Sequence, residues 1–213
     1  MEKLVVFDVD GVLIDTELGS FKDLGVMLGK EKEIKKHHEE YERRKYLGPW
    51  GLEELATIFT GIKESEIKKA VKNLLKRKLM PGIRETIDEL KRRGYLVVSY
   101  SSSPIWIMSE LQEEYGLDDV LGNIVEVRDG KVTGKLLKKV DRYAKAERLR
   151  RFMEERGIAK EDTYVIGDSL TDLPMAEYGR FIAFNADKQE VKDKAEFVIN
   201  KKDLREILRY INQ

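Results

Sequence analysis

Two aspartate pairs follow apolar runs that read as buried strands. Asp8 and Asp10 close Leu4-Val5-Val6-Phe7, and Asp168 and Asp172 follow Tyr164-Val165-Ile166-Gly167. Side chains alternate along a strand, so Asp8 and Asp10 are expected on one side, at or just beyond its carboxyl end. Several carboxylates brought together out of water are costly unless a cation or a proton compensates them. Mg²⁺ takes a few carboxylates, waters and phosphate oxygens as ligands. The pattern therefore points to a Mg²⁺ site suited to phosphate chemistry.

A carboxylate can attack phosphorus, and the aspartyl-phosphate it forms is then open to hydrolysis. Asp8 is the candidate nucleophile. Asp10, two residues on, is placed to protonate a departing oxygen and later to deprotonate the attacking water. Asp168 offers a further hard oxygen to Mg²⁺, and Asp172 lies within reach of the same ion directly or through water. A transferring phosphoryl group also needs donors around its oxygens. Ser101, at the end of a second predicted strand, offers a hydroxyl beside the backbone amides of Ser102 and Ser103, and Lys145 offers a point charge. Each of these residues alone has a plainer reading. An aspartate after a strand caps a helix, a serine makes a turn, and a lysine decorates a solvated helix face. Their order along the chain favours the chemical reading.

The elements that must position these groups fall into zones. Residues 16–78 are helical and heavily charged, with breaks at Gly48-Pro49, Gly51 and Gly61, and read as about four helices in a small bundle. From Pro81 the pattern alternates. A helix over Ile83, Ile87 and Leu90 is followed by a strand from Tyr95 to Tyr100. Ser103-Pro104 reads as the N-cap and first turn of a helix ending at Gly116. Asp141 is expected to cap a helix stopped by Gly157. Strands are then predicted at Thr163–Gly167, Arg180–Phe184 and Phe197–Ile199, with a last helix over Leu204–Ile211. Alternating apolar residues flank Asp129-Gly130, which predicts a hairpin within 123–137, set beside the main sheet. The expected fold is α/β: a Rossmann-like parallel sheet covered by helices on both faces. Its core comprises 1–15 and 79–213, and a helical cap (16–78) is inserted after the first strand. In such sheets, ligands bind outside the carboxyl ends of the strands, where all the chemical candidates fall.

Composition removes other classes. The 213 residues carry 40 basic and 40 acidic side chains, so no net field attracts nucleic acid or an anionic membrane. No cysteine is present, which excludes disulfides, thiolate metal sites and a thiol nucleophile. No apolar run approaches the roughly 18 residues of a membrane span, and no signal-peptide pattern opens the chain, so a cytoplasmic location is expected. His37 and His38, the only histidines, are read as a solvated helix face, and Trp50 and Trp106 as packing residues. The lysine-rich run from Lys68 to Lys78 reads as an amphipathic helix.

Asp8-Val9-Asp10-Gly11-Val12, Ser101, Lys145 and Gly167-Asp168-Ser169-Leu170-Thr171-Asp172 resemble, in order and spacing, the four motifs of the haloacid dehalogenase superfamily. The stretch from Gly122-Asn123 through Asp129-Gly130 to Lys145-Ala146-Glu147 is most similar to its phosphoserine phosphatase branch, as is Lys202–Leu208. The opening Asp10–Glu17 also resembles phosphoglycolate phosphatase and β-phosphoglucomutase relatives. The resemblance implies a helical cap, an aspartyl-phosphate intermediate and Mg²⁺ dependence. It implies a metal held by the carboxylate of Asp8, the backbone carbonyl of Asp10, and Asp168. It makes Glu17 a candidate partner for a substrate amine. The chain departs from that branch at Ser102 and Ser103, where glycines are usual, at Thr171, where asparagine is usual, and around Leu55–Ile58, which lacks the cap arginine. The expected activity is Mg²⁺-dependent hydrolysis of a small phosphorylated metabolite through an aspartyl-phosphate, with phosphoserine as the candidate substrate and a phosphoglycolate or sugar phosphate as an alternative. Phosphotransfer or mutase chemistry by the same aspartate is a further alternative.

Overall fold

The computed structural model describes residues 2–44, 47 and 50–211. The expected break at Gly48-Pro49 lies outside them. Seven strands form one sheet: β1 (Lys3–Phe7), β2 (Tyr95–Pro104), β3 (Asp119–Arg128), β4 (Lys131–Lys138), β5 (Thr163–Gly167), β6 (Arg180–Phe184) and β7 (Phe197–Ile199). Their order is β4-β3-β2-β1-β5-β6-β7, and every pairing is parallel except that of β3 with β4.

The unbroken apolar run in β1 is explained by its central place. Val5 and Phe7 join one buried cluster, with helices α5 (Ile83–Arg92) and α6 (Ile105–Tyr115) and the turn Leu204–Arg209. Leu4 and Val6 join a second, beneath α7 (Arg142–Arg156). A strand covered on both faces has no polar side to show. Two small helices complete that layer: α8 (Leu173–Ala176) and α9 (Gln189–Asp193).

Between β1 and β2 lie the expected helices: α1 (Ser20–Met27), α2 (Glu31–Arg44), α3 (Leu52–Ile58) and α4 (Glu64–Lys78). The lysine-rich α4 is amphipathic, burying Ile67, Ala70, Val71, Leu74 and Leu75. Phe21, Leu24, Ile34, Leu55 and Phe59 are continuous with the α5/α6 face of the core. Among the described residues, no helix is long and apolar enough to cross a membrane.

Several expectations are corrected. The hairpin is not set beside the sheet. The first half of β3 pairs parallel with β2 (Val98↔Asp119 to Tyr100↔Leu121), and only its outer half turns back on β4. The sequence hid this strand because it opens on acids. Asp118 caps the edge by accepting from the Val97 amide at 2.7 Å, and Asp119 accepts from Tyr100 Oη at 2.7 Å. The turn itself is as expected, with Asp129 and Gly130 both at positive φ (49° and 72°). The helix ending at Gly116 is present as expected, but its N-cap is Pro104 rather than Ser103. Both belong to β2, and α6 begins at Ile105 with no side-chain cap. The closing element is a 3-10 turn rather than an α-helix. His37 is buried instead of solvated, with Nε2 2.7 Å from the Gly51 carbonyl and its ring stacked on Trp50. Its partner His38 meets Lys22 Nζ at 3.0 Å. Asp141 caps α7 as expected, accepting from the amides of Tyr143 and Ala144.

The hairpin holds the helical segment to the sheet. Gly61 and Glu64 donate to the carbonyls of Val132 and Gly130 at 2.8 and 2.9 Å, and Val132 donates back to Ile62 at 2.9 Å. Gly134 makes this approach possible. It has φ +84°, and a Cβ there would fall 2.2 Å from Thr60 Oγ1 and 3.1 Å from Thr57 Cα. At Gly130, also at positive φ, a Cβ would meet nothing within 4 Å. Gly134→Ala is expected to destabilise the protein by about 2 kcal/mol or more, against about 1 kcal/mol for Gly130→Ala. Denaturant melts of the two variants check this, and equal losses would reject the close-approach argument.

Candidate active site

Parallel pairing of β1 with both β2 and β5 brings three strand ends side by side. Phe7 is in register with Ser99 and with Ile166, so Asp8, Ser101 and Asp168 emerge along one edge. The Asp8 amide continues the ladder, donating to the Ile166 carbonyl at 3.0 Å. Beyond it the chain turns sharply at Gly11, at φ +76°. A Cβ at Gly11 would lie 2.1 Å from Asp168 Oδ2, so only glycine lets the two strand ends come this close.

The carboxylates of Asp8, Asp168 and Asp172 gather so that one oxygen of each lies within 4.8 Å of the others. Asp8 and Asp172 are buried. Lys145, itself only 1% exposed, reaches in from α7. Its Nζ bonds Asp172 Oδ1 at 2.6 Å and stands 3.4 Å from Asp8 Oδ1. Asp172 Oδ2 accepts from the amides of Asp168 and Ser169, both at 3.2 Å. Asp172 thus braces Lys145 and the loop after β5, while Asp8 Oδ1 is buried with no hydrogen-bond donor.

One lysine does not balance this charge. Burial pushes Asp8 up to about 7, Asp172 and Asp10 add to the rise, and Lys145 opposes it. Asp168 is pushed up to about 8, by burial first and then by Asp8, Asp172 and Asp10. Burial alone would depress Lys145, but Asp172 and Asp8 overcome it and hold its ammonium above the ordinary value. A group of acids that retains protons near neutrality, with hard oxygens converging, is a site able to hold a metal ion.

Asp10 does not point into this acidic group. Its Oδ1 accepts from the Ser20 amide at 2.7 Å and its Oδ2 from Ser103 Oγ at 3.3 Å. Burial raises its pKa, and the bonds from Ser20 and Ser103 oppose that. Ser101, buried, has its hydroxyl 3.0 Å from Ser103 Oγ. Ser102 is half-buried, with its carbonyl accepting from Asn123 Nδ2 at 2.5 Å. Glu17 stands apart. Its exposed side chain pairs with Lys78 at 3.1 Å on a cleft of about 480 Å³ between α1, α2 and α4. Asp8, Asp10 and Asp168 do not line that cleft.

Sequence reasoning missed Ser20 and Asn123, and it misread Ser103. Asn123 joins the end of β2 to the segment before α7, since its Oδ1 also accepts from the Val140 amide at 2.8 Å. Ser20 belongs to a helix start 10 residues from Asp10, where any serine would pass as a cap.

The sequence profile of the haloacid dehalogenase-like hydrolase family matches residues 5–177. Phosphoserine phosphatase of Methanocaldococcus jannaschii is 35% identical over 99% of this chain and 98% of its own. That of Wolinella succinogenes is 32% identical over 98% and 100%. Among solved structures, a phospho-aspartyl intermediate analogue of phosphoserine phosphatase superposes with a TM-score of 0.83 at 34% identity, covering 99% of both chains. A substrate-bound phosphoserine phosphatase complex does so with 0.83 at 32%, covering 100% and 99%. The matched profile spans Asp8, Ser101, Lys145 and Asp172 alike, and the chain belongs to the haloacid dehalogenase-like hydrolase family.

Proposed function

We propose that this protein is a Mg²⁺-dependent phosphomonoesterase that hydrolyses a small phosphorylated metabolite through an aspartyl-phosphate on Asp8, with O-phosphoserine as the first substrate to test. The observation that carries the reading is Asp8 Oδ1: a buried carboxylate oxygen at the end of the central strand, with no partner nearer than the ammonium, at 3.4 Å, of Lys145, the only buried lysine among the described residues.

Asp8 attacks phosphorus, and Asp10 gives its proton to the departing oxygen and afterwards takes one from the hydrolytic water. Ser101, Ser102 and Lys145 hold the phosphoryl oxygens. Asp8, Asp168 and Asp172 fit Mg²⁺ in donor type and in convergence, and the backbone carbonyl of Asp10 is a further ligand on the family pattern. When bound, the ion screens the phosphate dianion from the attacking carboxylate. Residues 16–78 form a cap over a core of 1–15 and 79–213, and Glu17, exposed and paired with Lys78, would have to leave that pair to meet a substrate amine. The names of the relatives support phosphoserine. The absence of arginine from α3 (Leu52–Ile58) is the feature of this chain that speaks for another leaving group.

Three outcomes test this. Asp8→Asn should reduce turnover of p-nitrophenyl phosphate to background, and Asp10→Asn should reduce that of an alkyl phosphate by about 10²–10⁴. Activity near wild type in either variant would refute the mechanism. In a panel of O-phosphoserine, phosphoglycolate and sugar phosphates, O-phosphoserine should show the highest kcat/KM. A sugar phosphate ranking first would remove the substrate but leave the chemistry.

The third outcome follows from the raised acids. A carboxyl whose folded pKa exceeds its unfolded value holds a proton that the unfolded chain has released. Between about 4 and the folded values near 7 and 8, stability therefore falls as pH rises. EDTA-treated protein should thus lose stability from these groups between pH 5.5 and 8. Saturating Mg²⁺ should raise Tm more at pH 8 than at pH 5.5, because at the lower pH it competes with protons. Equal Mg²⁺ shifts at the two pH values, or none, would count against the metal site.

A further inference from the structure

We infer that Ser20 and Ser103 are positioning residues that fix the carboxylate of Asp10 in the orientation needed to protonate the leaving group. This rests on the proposed role of Asp10 as the acid. Both serines are fully buried, and each is tied to Asp10. Asp10 Oδ1 accepts from the Ser20 amide, at the first residue of α1, while Oδ2 accepts from the Ser103 hydroxyl, near the end of β2. The two oxygens are thus held by segments 83 residues apart in sequence, and these segments are joined by Ser20 Oγ donating to Ser103 Oγ at 2.7 Å.

The proton inventory closes on Ser103. A hydroxyl has one proton and two lone pairs. Ser103 spends its proton on Asp10 Oδ2 and receives Ser20 Oγ–H, which leaves one lone pair for Ser101 Oγ at 3.0 Å. Gly19, at φ +91°, supplies the left-handed turn that leads into α1 beside Asp10. The orientation of the acid therefore depends on α1 seating against β2, and a displaced helix removes a donor from Oδ1.

In the step concerned, the Asp8 Oδ–P bond forms as the ester P–O bond breaks. The Asp10 proton passes to the ester oxygen, which leaves as an alcohol. An alkoxide needs that proton, whereas p-nitrophenolate departs nearly as well without it. Misplacing Asp10 should therefore penalise alkyl esters selectively, and a general loosening of the fold would not.

The test compares kcat for β-glycerophosphate and p-nitrophenyl phosphate, with Mg²⁺ present. Ser103→Ala should lower the first about tenfold, the scale of one hydrogen bond to a charged group, and the second less than about twofold. Ser103→Cys, of similar volume but a weak donor, should match it. Ser20→Ala, which keeps the amide bond to Oδ1, should show the same selectivity at about threefold, and it serves as the second probe if Ser103 variants fold poorly. Asp10→Asn sets the upper limit of the selectivity. Equal losses on both esters, or none, with Asp10→Asn still selective, would overturn the positioning role alone. A non-selective Asp10→Asn, or a wild-type protein inactive on both esters, would overturn the acid assignment and this inference with it.

Discussion

Three carboxylates converging around one lysine at the edge of a sheet set the terms for everything built around them. Charge of one sign, removed from water, is tolerated only with compensation close at hand. Lys145 supplies part of it, committed mainly to Asp172 and standing farther from Asp8. The remainder shows as carboxyls held above their ordinary range, Asp8 at about 7 and Asp168 at about 8. An arrangement that costs the folded chain stability, and that the chain nevertheless keeps buried, is a hallmark of a site organised for a reaction or a ligand.

The parallel sheet is what allows the convergence. Each strand delivers its next residue at the same edge, so residues from β1, β2 and β5 that lie far apart in sequence arrive together. Glycine removes the steric objection where strand ends crowd. Gly11 makes room for Asp168, and Gly167 for Asp172, whose Cβ a side chain on Gly167 would meet at 2.5 Å. Two of the ties between the helical segment and the sheet stand out. One is the pairing of residues 61–64 with the hairpin, and the other is the seat of Ser20 on Asp10 and Ser103. The first is backbone hydrogen bonding at a distance from the acids. The second reaches a side chain that the chemistry would use.

Much of this was legible beforehand because it rests on local rules. A strand buried on both faces must be apolar throughout, so β1, β5 and β6 announce themselves. The Asp129-Gly130 turn and the Asp141 cap follow from backbone preferences of single residues. What escaped was polar at a position that looked local but was tertiary. Asp118 and Asp119 resemble a loop until Val97, Tyr100 and Arg148 are found to take up their oxygens. Ser103 resembles a helix cap until its hydroxyl is seen bonded to Asp10. His37 belongs to a helix so dense in charged side chains of both signs that its burial becomes intelligible only with the carbonyl of Gly51 and the ring of Trp50 in view.

The order of types along the chain was enough to establish the fold class and to point to the strand ends with Asp8 and Asp168, while Lys145, one lysine among many, was singled out only by the resemblance to a family. That information survives in one dimension because strands and helices are periodic and reactive groups sit at their ends. Tertiary structure alone decided how the acids divide. Asp172 joins Asp8 and Asp168, while Asp10 turns toward Ser20 and Ser103. Spacing along a strand predicts the side on which a carboxylate emerges, but its rotamer follows the donors that reach it, and here those come from segments remote in the chain.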